Sequence, residues 1–149
     1  MSENLLRLIP TNPLYVPSSD AQNQARTLLA SLLPEGEINL TVTEEISFID
    51  QGSNFERVLC PCCGAVVPME WWSQEMDRAY GASQFQDLSI MLPCCQTPSS
   101  LNDLDYDWPA GFAQFLLEAR SPGGDLTPEQ VSLVASLLGC SVHKIWAHD

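Results

Sequence analysis

Apolar positions along the chain change rhythm in an order that repeats. Leu5-Leu6-Arg7-Leu8-Ile9 predicts a short strand, and Pro10, Pro13 and Pro17 mark the loop after it. Ser19, followed three residues later by Gln22, predicts a capping box and the start of a helix. Ala25, Leu28, Leu29 and Leu32 then fall on one helical face, and Pro34 ends the element. Ile38, Leu40 and Val42 alternate as in a half-buried strand, and Ile46 and Phe48 resume after a break at Glu44-Glu45.

The C-terminal part repeats this plan. Phe112 to Ala119 predicts a strand, Ser121-Pro122-Gly123-Gly124 a loop, and Thr127 with Gln130 a second capping box. Pro128 falls at the first helical position, where its missing N–H costs nothing. Val131, Val134, Ala135 and Leu138 line one face, Gly139 caps the end, and Cys140 to His148 returns as a strand. Leu29-Ala30-Ser31-Leu32-Leu33 and Val134-Ala135-Ser136-Leu137-Leu138 even share letters. Strand–helix–strand twice over predicts an α+β fold of the ferredoxin-like kind: a split βαβ pair, with two helices on one face of an antiparallel sheet. Residues 1–50 and 111–149 would be the two halves of that domain, and 51–110 an inserted module.

The inserted stretch carries the chemistry. Five of the six cysteines lie in it, as Cys60-Pro61-Cys62-Cys63 and Cys94-Cys95, and Cys140 stands alone as a small hydrophobe. No run approaches the roughly 20 apolar residues of a membrane span. Met1-Ser2-Glu3-Asn4 lacks the basic start and apolar run of a secretory leader, so the expected compartment is the cytoplasm. Clustered cysteines in a reducing compartment point to metal or redox chemistry rather than to disulfides.

Cys60 and Cys63 are the outer thiols of C-P-x-C-G. Two residues between ligands let the backbone curl so that both sulfurs face one ion, and Gly64 permits a positive φ where the turn leaves it. Phe55, Val58 and Leu59 lead in, and Ala65, Val66 and Val67 lead out, which predicts a knuckle on a hairpin. About thirty residues on, Leu92-Pro93-Cys94-Cys95-Gln96 keeps the proline and two cysteines but has Leu92 where the first cluster has Cys60. A four-sulfur site must then use adjacent Cys94 and Cys95, or Cys95 with Cys62 or another group. The preferred set is Cys60, Cys63, Cys94 and Cys95 around one structural zinc ion. Through Cys60-Pro61-Cys62-Cys63-Gly64 and Pro93-Cys94-Cys95, residues 55–100 resemble zinc-ribbon proteins, and the interval between the knuckles implies an elaborated ribbon.

Other chemistries fit these residues less well. A redox C-P-x-C pair belongs at a helix N-terminus, and Gly64-Ala65-Val66-Val67-Pro68 is poor helix material. A zinc deaminase needs H-x-E before P-C-x-x-C, and neither His143 nor His148 has that context. An open catalytic zinc site keeps three protein ligands and a water, and this chain has no H-E-x-x-H motif, with His143 and His148 distant in sequence. Asp103, Asp105 and Asp107 spell D-x-D-x-D, but Trp108 and Gln114 stand where a calcium loop needs Gly and Glu. The alternation from Asn102 to Trp108 predicts a strand with Leu104, Tyr106 and Trp108 inward and an acidic stripe outward. Cys140 and His143, three apart on a strand, would face opposite ways. A helix from Glu70 to near Tyr80 should bury Trp72, Met76, Ala79 and Tyr80, while Trp71 packs on the zinc module or anchors a partner.

Charge narrows the function classes. Nineteen acidic residues against six basic ones, with Lys144 the only lysine, give a net charge of −13. Such a surface repels nucleic-acid backbones and anionic membranes and speeds capture of a basic protein. The resulting expectation is a non-catalytic, acidic interaction protein, of the immunity or antitoxin type, that covers a basic toxin. A thiol- or zinc-dependent enzyme is the alternative, and a component of a larger assembly the third.

Overall fold

The computed structural model of the chain describes residues 3–149 and is a mixed α+β structure. In chain order the elements are β1 (Asn4–Pro10), α1 (Ser19–Leu32), β2 (Glu37–Ile49), β3 (Val58–Leu59), α2 (Met69–Ser83), β4 (Ser89–Met91), β5 (Pro98–Ser100), β6 (Asp105–Tyr106), β7 (Gly111–Arg120), α3 (Pro128–Leu138) and β8 (Val142–His148). The main sheet has the order β2-β7-β1-β8, and each neighbouring pair is antiparallel. β1 and β2, joined through α1, are thus parallel with β7 between them. β7 and β8, joined through α3, are parallel with β1 between them.

The helices start where short-range polar chemistry allows. α3 carries the capping box in full: Thr127 Oγ1 accepts from the Gln130 N–H, and the Gln130 side chain accepts from the Thr127 N–H. Gly139 ends α3 at φ +78°. At α1 the cap lies one residue earlier than the sequence pattern predicts. Ser18 Oγ accepts from the Ala21 N–H at 3.2 Å, and Gln22 donates to the Pro17 carbonyl instead of closing a box with Ser19. Adjacent serines offer the same oxygen, and Ser18 has the extended conformation that a cap needs.

One face of the sheet packs on α1 and α3. Leu6, Leu8, Phe115, Leu117 and Ala119 meet Ala25 and Leu29 of α1 and Val134 and Leu138 of α3. A bulge in β2 then divides its apolar residues between the two faces. Val42 lies opposite Phe115 but Ser47 opposite Ala113, so β2 advances five residues while β7 recedes two. An excess of three is odd, and an odd slip turns the alternation over. Ile38 and Leu40 therefore join the helix-side core, whereas Ile46 and Phe48 join a second core beneath residues 51–110.

That second core fastens the cysteine-bearing region to the sheet. The Phe48 ring centroid lies 5.1 Å from that of Phe112, 5.7 Å from that of Trp72 and 5.9 Å from that of Tyr106. Trp72 Nε1 donates to the Tyr106 hydroxyl, which donates to the Leu101 carbonyl at 2.6 Å. A strap from Asp50 to Asn54 crosses to the far edge, where Gly52 bridges His148 and Ser53 N–H donates to the His148 carbonyl at 2.7 Å.

Some expectations for this region change. Trp71 packs against the second core, the first of its two expected places, but Tyr80 is exposed on α2 rather than buried. The alternation from Asn102 to Trp108 is not one strand: Leu101–Asp103 is a 3-10 turn and only Asp105–Tyr106 pairs, with β3. Leu104 and Tyr106 are buried as the pattern implies, but Trp108 takes φ +61° and turns outward.

Candidate metal centre

Two hairpin turns built alike hold the clustered cysteines. In the first, β3 leads into Cys60, the Cys60 N–H donates to the Ala65 carbonyl at 2.8 Å, and the Gly64 N–H returns to the Cys60 carbonyl at 2.9 Å. Val67 closes the hairpin on Val58 at 2.8 Å. In the second, β4 leads into Leu92, whose N–H donates to Thr97 at 3.0 Å, while the Gln96 N–H returns to Leu92 at 2.9 Å. The turn needs a left-handed residue at its fifth position. Gly64 supplies it at φ +76°, and Gln96 accepts it at φ +55°.

The turns face each other. The sulfurs of Cys60, Cys63, Cys94 and Cys95 all lie within 4.8 Å of one another, although the two clusters are about thirty residues apart. Cys60 Sγ is 3.8 Å from Cys95 Sγ, and the Cys63 thiol donates to Cys94 Sγ at 3.3 Å. Four thiolates around an ion with bonds of about 2.3 Å would sit about 3.8 Å apart in a tetrahedron, so these donors fit a metal ion after small adjustments. Adjacent Cys94 and Cys95 both reach the cluster because the tight turn between Leu92 and Gln96 bends the backbone there. Cys62 is exposed and lies outside the group of four.

The first turn is also built to carry negative charge. Cys60, only 2% exposed, accepts hydrogen bonds on its sulfur from the N–H groups of Cys62 and Cys63, each at 3.4 Å. The Cys63 N–H is the chief cause that draws the Cys60 thiol down from 9.0 to about 6. Cys94 moves the other way, to about 12, first because of its hydrogen bond with Cys63 and next because of desolvation. Cys62 is raised as well, by desolvation and then by the charges of Cys60 and Cys95. Without an ion, a thiolate is stabilised at Cys60, while Cys94 and Cys62 hold their protons more tightly than a free thiol. A cation would displace those protons.

The remaining sequence candidates lie apart from this cluster. Cys140 packs against the helix-side core, while His143 is exposed on β8. Asp103 and Asp105 are exposed, and Asp107 pairs with Arg57 at 3.0 Å. Sequence reasoning missed the parts of Gln96 and of the closing carbonyls of Ala65 and Thr97. Their signal was present in the shared Pro-Cys-Cys letters, since two turns with the same letters close in the same way. No family model, curated protein or solved structure was found to match this chain.

Proposed function

We propose that this protein is a non-catalytic interaction module whose residues 51–110 are stapled by one structural zinc ion on Cys60, Cys63, Cys94 and Cys95. The observation that carries this reading is the convergence of four sulfurs from two similar turns within 4.8 Å. An all-sulfur set favours zinc over magnesium or calcium, which take oxygen ligands, and a closed set of four leaves no position for substrate. Paired knuckle hairpins support the zinc-ribbon likeness. The interleaved order β2-β7-β1-β8 supports a ferredoxin-like domain, with 1–50 and 111–149 as its halves.

The partner we propose is a basic protein, with an immunity or antitoxin role against a basic toxin as the specific form. The net charge of −13 supports this and disfavours nucleic acid and anionic membrane. No helix of the described residues is long and apolar enough to cross a membrane, which agrees with a cytoplasmic role. Metal analysis and a native thiol count test the zinc reading: one zinc per chain and four unreactive thiols are expected, and reactive thiols at Cys60 and Cys63 would overturn it. Cross-linking in the native host tests the partner reading, which fails if the recovered protein is acidic or a nucleic acid.

One observation favours a thiol enzyme instead, namely the Cys60 thiol drawn down to about 6. Its burial argues the other way, because a nucleophile must reach its substrate.

A further inference from the structure

We propose that the outer edge of β2, from Glu37 to Val42, docks an extended basic segment of a protein partner by strand addition. The proposal rests on the reading of this chain as a receptor for a basic protein, and assigns that receptor a place.

β2 is an edge strand of 13 residues, with β7 as its only ladder neighbour among the described residues. Among the described residues, no backbone hydrogen bond outside that ladder engages residues 37–49. Every second N–H and C=O along Glu37–Val42 therefore points away from the sheet. Proteins usually blunt such an edge with charged residues (lysine above all), proline, a bulge, a cover or a very short strand. β2 has neither lysine nor proline, and Thr41 and Val42 are exposed on it. Its bulge begins only after Val42, which leaves six regular residues, enough for a docked strand. The opposite edge is treated differently, for Gly52 bridges β8 at His148 and the Ser53 N–H donates to the His148 carbonyl.

Charge selects the occupant. Glu37, Glu44 and Glu45 are exposed along β2, and none belongs to an ion pair among the described residues. No lysine or arginine occurs between Arg26 and Arg57. Arg120, across the ladder from Glu37, is taken by Glu3 at 2.6 Å. These carboxylates are thus open to the cations of a partner. A second copy of this chain cannot supply them, because its own residues 27–56 hold no lysine or arginine either. Each copy would also bring a net charge of −13. A partner strand that alternates β-branched residues with lysine or arginine satisfies both the open backbone groups and the carboxylates.

The test uses the full, metal-loaded chain and a labelled ten-residue peptide alternating lysine with valine and threonine. Anisotropy should show saturable binding that weakens with salt, and amide exchange should slow at Glu37–Val42. The triple variant Glu37→Lys/Glu44→Lys/Glu45→Lys, with unchanged circular dichroism and metal content, should bind at least about tenfold more weakly. Glu129→Lys, on α3, should bind as the parent does. An unaffected triple variant, or no binding by the peptide, would overturn the proposal. Protection confined to another surface would overturn it too, but would leave the chain a receptor for basic proteins. A dimer in sedimentation with the same amides protected would replace the partner by a second copy and so refute the charge argument.

Discussion

Leu92 occupies in the second turn the place that Cys60 occupies in the first. Both N–H groups cross their turns to a residue five positions on, at 3.0 Å to Thr97 and 2.8 Å to Ala65, and both side chains are buried. The turns therefore share a frame but deliver sulfur from different positions, first and fourth in one, third and fourth in the other.

This equivalence predicts a ligand exchange. Cys94→Ser should lose the metal, and adding Leu92→Cys should restore it by making the second turn a C-x-x-C like the first. Zinc content by mass spectrometry checks both variants. Metal kept by Cys94→Ser would show that Cys94 is not a ligand, and a double variant that stays empty would show that the two turns are not equivalent.

Cys63→Ser should release the ion and lower the melting temperature, because metal binding energy is folding energy for the turns. Amide exchange should rise across residues 55–100 and stay slow in α1 and α3, whose core lies on the other face of the sheet. Cys62→Ser should keep one ion per chain, since Cys62 lies outside the group of four.

Acid should empty the site. In the metal-free protein the Cys60 thiol lies near 6 when folded, against 9.0 ordinarily. Between those values unfolding takes up a proton, so this contribution to stability is full above about pH 9, shrinks as pH falls and is gone below about 6. Cys94, raised to about 12, contributes in the opposite sense: fully below about pH 9, and less as pH rises towards 12. Ultraviolet thiolate absorbance of stripped protein should show one ionisation near pH 6 that Cys60→Ser removes. If the first ionisation stays near 9, the two N–H···S bonds do not stabilise the thiolate.

Gly52→Ala should destabilise the strap. Gly52 has φ +59°, and a Cβ there would run into the His148 carbonyl backbone. The left-handed conformation alone costs roughly 1–2 kcal/mol for a residue with a Cβ, and the clash adds to it. Chemical denaturation should give a loss of at least about 1 kcal/mol, whereas Gly81→Ala, with open space around it, should cost nothing.

Much of this protein was legible in one dimension because its physics is local. Apolar period and capping letters marked both strand–helix–strand units, since a side chain and an N–H three residues away need nothing else to meet. The cysteine spacing likewise marked the first turn, because C-P-x-C-G closes on itself. Three-dimensional packing decided the rest. Ile38, Leu40, Ile46 and Phe48 share one alternation, and only the pairing of β2 with β7 shows that the bulge sends the first two to the helices and the last two to the cysteine module. Trp108 looked inward by alternation, but its strand ends at Tyr106. The meeting of Cys63 with Cys94 depends on how two separate hairpins orient on Phe48 and Phe112, a long-range contact that neither hairpin's own sequence encodes.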